Sequence, residues 1–365
     1  MGRAGMPPGM ASPRVLGILE RLARQPTTSF HEEGVAREAT RIAREVGASV
    51  RRDAFGNLVA APPSRRAGPP IWLVAHMDHP GIEVLGPGEG RLLGGIAPAY
   101  LRKGVRLRFY RDGDRTPATL ARFTESTHRF RFTGPPEVRG LRRGDFGVFE
   151  LADFRAAEDR VHARQLDDLA GCAISLAAVE RACRNRSLNV RALLTRAEEM
   201  GFVGTLAAIS EGLLPRSAWV VSVEASRAIP GVSIGGGPVI RVGDRARTFD
   251  HRAEDLLAVG QARLPKGQPV QRALMSGGTC EATPWMLWGY RATGLAIPLG
   301  NYHNMGAGDR LRPETVAVRD LATAVDLLES AARNVPRALR RDEELRRRLS
   351  RYLRRHGRTL LRTRA

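Results

Sequence analysis

The adjacent carboxylates Glu198 and Glu199 in "LLTRAEEMGFVG" follow an apolar run that reads as a buried strand. Neighbouring side chains point in different directions, so one can hold a metal ion while the other handles a proton. Ligand-type residues recur at the ends of other such runs: His76 and Asp78 in "WLVAHMDH", Glu224 in "WVVSVEAS" and His303 in "IPLGNYHNMG". Asp167 and Asp168 in "RQLDDLAG" stand where a helix begins. Working residues of open α/β sheets gather just beyond the carboxyl ends of strands. Two histidines with several carboxylates make a mixed nitrogen and oxygen donor set, which suits Zn2+, with Co2+ or Mn2+ as substitutes. Each residue also has a plainer reading. A strand-end histidine can be structural, Asp167 can cap its helix, the glutamate pair can be an acidic first turn, and Glu224 can be a surface carboxylate. The recurrence at several separate strand ends favours one shared site.

The elements that must position these residues alternate along the chain. "ASPRVLGILERLARQP" has helical spacing, and in "TTSFHEEGVAREATRIAREVG" Ser29 stands three residues before Glu32, which predicts a capping box and an amphipathic helix. "SVRRDAFGNLVA" and "PPIWLVAH" read as strands. From about Gly81 to His162, short alternating segments such as "VRLRFY", "TLARFT", "HRFRFT" and "DFGVFEL" predict a small antiparallel barrel. Beyond it, "LDDLAGCAISLAAVERACR", "VGTLAAISEGL" and "ETVAVRDLATAVDLLESAARN" read as helices. "NVRALLTRA", "SAWVVSVEAS" and "ATGLAIPL" between them read as strands. The expected fold is α/β: a mainly parallel sheet sandwiched by helices, with an inserted antiparallel β-barrel domain. The expected division is a disordered leader at 1–13, a catalytic domain at 14–81 and 163–335, a barrel at 82–162, and an arginine-rich helix or tail at 336–365.

Taken in order, "AHMDH", "LDDLAGC", "AEEMGFVG", "VSVEAS", "SGGTCEA" and "PLGNYHN" resemble the signature series of the co-catalytic dizinc aminopeptidases of clan MH. The glutamyl and deblocking aminopeptidase group, family forty-two with its tetrahedral TET members, fits best. "FGNLVA" and "GGGPVIRVGDRARTFDHRAEDLLAVG" extend the resemblance, which spans roughly Ser12 to Asn334. The resemblance implies two divalent metals, with Asp167 bridging them, His76 and Glu224 completing one site, and Glu199 and His303 the other. It further implies that Glu198 is the general base acting on a metal-bridging water, that Asp78 orients His76, and that the Asp167–Asp168 peptide bond is cis. Short peptides would be the substrates and a homo-oligomer the assembly.

Several positions depart from the family pattern. Glu224 stands where Asp is usual and suggests a related dizinc carboxypeptidase, deacylase or amidohydrolase as the alternative. Cys280 and Glu281 replace an Asp, Leu169 an Arg and His79 an acidic residue, all expected near the substrate pocket. Cys280 reads as a buried, inert thiol. His162 is placed near the site without a role, and His31, His128, His251 and His356 receive none.

Charge and composition bound the rest. The formal charge of +20 is almost entirely arginine, Lys103 and Lys266 being the only lysines. About nine excess positive charges fall between Arg337 and Ala365. Leu345, Leu349 and Leu353 share one helical face there. A solvated terminal helix is the favoured reading, ahead of contact with nucleic acid or an anionic membrane, because almost no aromatic residues are interleaved for base stacking. A binding protein working through this tail is the rival to an enzyme, and the intact Glu198 and ligand set argue against it. With no apolar run near the roughly 20 residues of a membrane span, no secretory segment and three scattered cysteines, the expected location is the cytoplasm.

Overall fold

The computed structural model describes residues 12–64 and 66–363. Most of the expected leader, residues 1–11, lies outside them, while Ser12 and Pro13 open the first helix, α1 (Ser12–Ala23). In chain order there follow α2 (Glu33–Glu45), the hairpin β1 (Ser49–Arg52) and β2 (Leu58–Ala61), and β3 (Ile71–His76). Six strands then form a closed antiparallel barrel: β4 (Gly81–Gly86), β5 (Glu89–Leu93), β6 (Arg106–Arg111), β7 (Asp114–Thr124), β8 (Arg129–Thr133) and β9 (Phe146–Phe149). Alternate side chains such as Phe109, Leu120, Phe130 and Phe149 fill it, as the period-two pattern requires. β10 (Arg155–Ala157) and β11 (Arg160–Ala163) form a hairpin outside the barrel. The helix–strand alternation then resumes with α3 (Leu166–Arg184), β12 (Val190–Thr195), α4 (Val203–Ser210), β13 (Trp219–Arg227), β14 (Val239–Asp244), α5 (His251–Gln261), β15 (Gln271–Met275), α6 (Ala282–Leu287) and β16 (Arg291–Leu299). The short strands β17 (Met305–Gly306) and β18 (Arg310–Leu311), then β19 (Glu314–Ala317), α7 (Val318–Arg333), α8 (Val335–Ala338) and α9 (Arg341–Arg362) complete the chain.

The main sheet has the order β1-β2-β12-β3-β13-β16-β14-β15, and its four central strands, β12, β3, β13 and β16, run parallel. These strands are buried on both faces, which is why they read as unbroken apolar runs. Helices α1, α2, α3, α5 and α7 cover one face in the larger core, and α4 and α6 cover the other. Thr195 is level with His76, so the chain leaves both strands at the same height. The mixed α/β architecture with a separate closed barrel agrees with the expectation.

Two local readings are corrected. Ser29 and Glu32 do not form a capping box, because both side chains are used elsewhere. The Ser29 hydroxyl donates to Asp78 Oδ2 at 2.7 Å, and Glu32 accepts the N–H of Ala197 at 2.9 Å and Arg196 Nε at 2.7 Å. The N-cap of α2 is Glu32 itself, without a side-chain cap bond. The long helix expected from Glu314 starts only at Val318. Residues Glu314–Ala317 form β19, paired antiparallel with β11, where Val316 and Ala317 are fully buried.

Candidate metal centre

His76 is the last residue of β3 and Glu224 lies within β13, while Glu198, Glu199 and His303 sit on turns that follow strands and Asp167 stands at the start of α3. The chain leaves β12 through Ala197, in the left-handed region at φ 49°, and enters a short turn carrying Glu198 and Glu199. An alanine there is uncommon. Glu32 accepts its N–H, and Asp78 accepts the N–H groups of Glu198 at 2.9 Å and Glu199 at 3.2 Å. The same Asp78 lies beside His76, whose Nδ1 is 3.1 Å from the Asp78 carbonyl oxygen and 3.5 Å from carboxylate Oδ1. His303, at φ 52°, follows β16. Its N–H donates to Glu314 Oε1 at 2.8 Å, while Glu314 Oε2 accepts from Leu166 and Asp167 N–H at 2.7 and 3.0 Å. One buried carboxylate thereby ties Asp167 to His303 across the sheet.

The peptide bond between Asp167 and Asp168 is cis. Asp168 turns inward, where Oδ1 accepts the N–H groups of Gly171 and Ala225, both at 3.0 Å. Gly171 is required here, since a Cβ would lie 2.3 Å from both Asp168 Oδ2 and the Val223 carbonyl oxygen. Asp167 faces the pocket, with Oδ1 3.3 Å from His76 Nε2 and Oδ2 3.6 Å from His303 Nε2. His303 Nε2 is also 2.9 Å from Glu199 Oε1, and Glu198 Oε2 stands 3.8 Å from His76 Nε2.

Two groups of donors converge, His76 with Glu198 and Glu199, and Asp167 with Glu199 and His303, each with its donor atoms within 4.8 Å of one another. Glu224 lines the same pocket but belongs to neither group. Its oxygens face Arg241 Nη1 and the Ser226 hydroxyl, each at 3.4 Å.

The electrostatics follow from this crowding. Burial is the largest single influence and opposes protonation of His76 and His303, but Glu198, Asp167 and Asp78 together outweigh it at His76, and Glu199, Asp167 and Glu314 together at His303. His76 is held well above the usual imidazole range and His303 is pushed up to about 9. Burial raises Glu224 to about 7 against the pull of Arg241, and raises Glu198 well above the carboxylate range with help from Glu199 and Glu224. Such a site attracts cations. Among the described residues, buried Asp167 Oδ1 has no hydrogen-bond partner. That free oxygen and the mixed donor set fit divalent metal ions, which neutralise clustered carboxylates and require neutral imidazoles.

Sequence reasoning missed Glu314 and gave His79 and Glu281 a place near the pocket without their supporting contacts. Glu314 stands beside Pro313 at the start of a strand, and a carboxylate opening a buried strand was the available signal. His79, buried, joins the Asp167 carbonyl oxygen at 2.6 Å to Asn304 at 3.2 Å. Glu281 accepts the hydroxyls of Thr195, at 2.5 Å, and Thr205. Leu169, His79, Cys280 and Glu281, expected near the substrate pocket, are all buried and stand behind its lining rather than in it, Cys280 as the buried thiol expected of it and next to the lining residue Thr279. The pocket, about 480 Å³, is walled by Arg227, Arg241 and Arg245, with Tyr302 stacked on His303 at 3.7 Å. His162 pairs with Thr315 away from the pocket.

The sequence model of the M42 glutamyl aminopeptidase family matches residues 136–327, more than half of the chain. The chain belongs to this family, and is thereby a metal-dependent hydrolase of the aminopeptidase class. No curated protein matches it in sequence. Among solved structures, it is similar to the Pyrococcus horikoshii TET1 peptidase, described as assembling into a tetrahedron or a large octahedral shell. The identity is 21%, the TM-score 0.73, and the match covers 87% of this chain and 99% of that one. An aminopeptidase of the archaeon Desulfurococcus kamchatkensis is similar at 22% identity and TM-score 0.71, over 88% and 94% of the two chains. A Thermotoga maritima protein described as an endoglucanase shares 18% identity at TM-score 0.64, over 90% and 100%. At these identities the structural likeness speaks for the fold, and the reaction class follows from the family.

Proposed function

We propose that the chain removes N-terminal residues from short peptides at a dinuclear metal centre, probed most directly with Zn2+. In this reading Asp167 is shared, His76 and Glu224 complete one site, Glu199 and His303 the other, and Glu198 is the general base. The reading rests on Asp167, whose two carboxylate oxygens face different histidines, with Glu198 beside the same pocket. Glu224 is the least constrained of the five ligands, engaged only by contacts of 3.4 Å.

When bound, divalent ions supply Lewis acidity to the scissile carbonyl and lower the pKa of the attacking water. Glu198 takes a proton from that water as its oxygen adds to the carbonyl carbon, then delivers the proton to the amine nitrogen as the C–N bond breaks. Asp78, by gripping the N–H groups of Glu198 and Glu199, holds base and ligand in one frame. Arg227 and Arg245 add basic side chains to the pocket lining, which favours a first residue carrying a carboxylate, while Arg241 is turned on Glu224 and Ser226. Self-association into a homo-oligomer, as described for TET1, and a cytoplasmic location belong to the same reading. Sedimentation tests the first and fractionation the second.

The deciding experiment is mass spectrometry of matched peptides with free, N-acetylated and C-amidated ends, using zinc- or cobalt-loaded protein and an EDTA control. Metal-dependent shortening from a free amino end is expected. Cleavage confined to the carboxyl end or to the acyl group would replace the aminopeptidase reading with the carboxypeptidase or deacylase suggested by Glu224.

A further inference from the structure

The C-terminal helix α9 is joined to the protein only at its base. Val335 and Ala338 of α8 are buried in the main core. Arg341 pairs with Asp255 at 3.0 Å, and Asp342 lies 3.7 Å from His251 and 3.8 Å from Arg252. Among the described residues, these are the only ion pairs between α9 and the rest of the chain, and no residue of the helix is buried. At 3.6 residues per turn, Leu345, Leu349, Tyr352, Leu353 and Leu360 fall within one stripe roughly 100° wide. Those side chains are 44% to 68% exposed. Between Leu345 and Arg362 there are eight arginines and no acidic residue, and all but Arg346 lie on the side away from the stripe.

We propose that α9 is a docking element for an anionic lipid surface, lying in the plane of the headgroups with its leucine stripe in the acyl boundary and its arginines on phosphate. The two faces require this occupant together. Nucleic acid would satisfy the arginines but leave the leucines in water, since aliphatic side chains offer no stacking face. A second apolar helix would cover the leucines but leave the arginines without counter-charge. A bilayer rich in acidic headgroups provides an apolar layer and an anionic layer in the order the helix presents them. No helix among the described residues is long and apolar enough to span, so the contact is peripheral. The sequence alone left this element as a solvated helix, because composition does not reveal whether a leucine stripe is covered by the rest of the fold. The inference does not depend on the metal chemistry.

The test is flotation of the full-length protein with vesicles of phosphatidylcholine alone or with about one-third phosphatidylglycerol, near 0.15 M salt. A double variant, Leu349→Asp with Leu353→Asp, and a chain truncated after Arg340 run in parallel, with peptidase activity as the folding control. Expected are flotation with anionic vesicles only, a loss of roughly ten-fold or more in the double variant, complete loss on truncation, and unchanged peptide hydrolysis. Four results would overturn the proposal: no flotation of the full chain, equal flotation with neutral vesicles, retention by the double variant, or preferential capture by an RNA competitor that the leucine changes do not weaken. A concentration-dependent dimer dissolved by the leucine changes, without flotation, would assign the stripe to a second copy instead.

Discussion

Two concentrations of charge in this chain behave in opposite ways. Around the metal centre, carboxylates are buried and their backbone supports are specified one by one, Asp78 gripping the Glu198–Glu199 turn and Glu314 gripping Asp167 and His303. Along α9, more charges are present, but the main internal pairing is Arg347 with Glu343, an exposed i,i+4 contact. Burial converts charge into geometry because an unsatisfied buried group is costly, whereas exposed charge is screened and specifies only an average surface. The first region therefore resembles a mechanism and the second an affinity.

The sharpest way to break the comparison is Glu198→Gln. We expect kcat to fall by about 10² to 10⁴-fold, with thermal midpoint and metal stoichiometry close to wild type. Wild-type turnover would remove Glu198 as the base. Next is Glu314→Ala, which orphans the N–H groups of Leu166, Asp167 and His303. Each buried donor left unpaired costs about 1–3 kcal/mol. Urea unfolding should show the loss of stability, and metal analysis should show weakened binding at the site that includes His303. If stability is unchanged, the backbone clamp is not what holds the pocket.

A smaller effect is expected at His31, which stacks on Phe146 of the barrel at 4.9 Å and joins the barrel to the sheet domain. Burial lowers its pKa, ahead of the opposing pull of Glu83. The folded state thus binds fewer protons than the unfolded state as pH falls through the ordinary imidazole range. Stability contributed by this group is present above the unfolded value of about 6.5 and is lost on acidification below it. Comparing thermal midpoints of wild type and His31→Phe between pH 8 and pH 5.5 checks it, the variant showing the shallower slope. The smallest effect belongs to truncation after Arg340. It should change stability by no more than about 0.5 kcal/mol and leave peptide hydrolysis untouched. A large loss would mean that α9 carries more of the fold than its exposed contacts indicate.

The parallel strands and most helices were legible because each has its own periodicity, and the barrel because its segments alternate. The residues facing the pocket were legible because ligand types at successive strand ends leave a pattern in one dimension. What supports them was not. Ser29 and Glu32 match a helix-start pattern in sequence and serve the Asp78 and Ala197 turns in space, through partners at separations of 49 and 165 residues. Glu314 looked like a helix residue because "ETVA" precedes a strongly helical run without a break, while its pairing with β11 is set from the other side of the chain. Local pattern identifies elements, and long-range hydrogen bonding decides which side chains those elements can spare.

The grip of Asp78 and Glu314 also bears on how such a site can be inherited or copied. A designer moving the pocket-facing residues onto another parallel sheet would transplant donors without the carboxylates that aim them, and Ala197 and His303 would relax out of their left-handed turns. A lineage drifting away from hydrolysis would meet the same coupling in reverse. Losing one of the hidden clamps would disturb several visible ligands at once, Asp78 through Glu198 and Glu199, and Glu314 through Asp167 and His303.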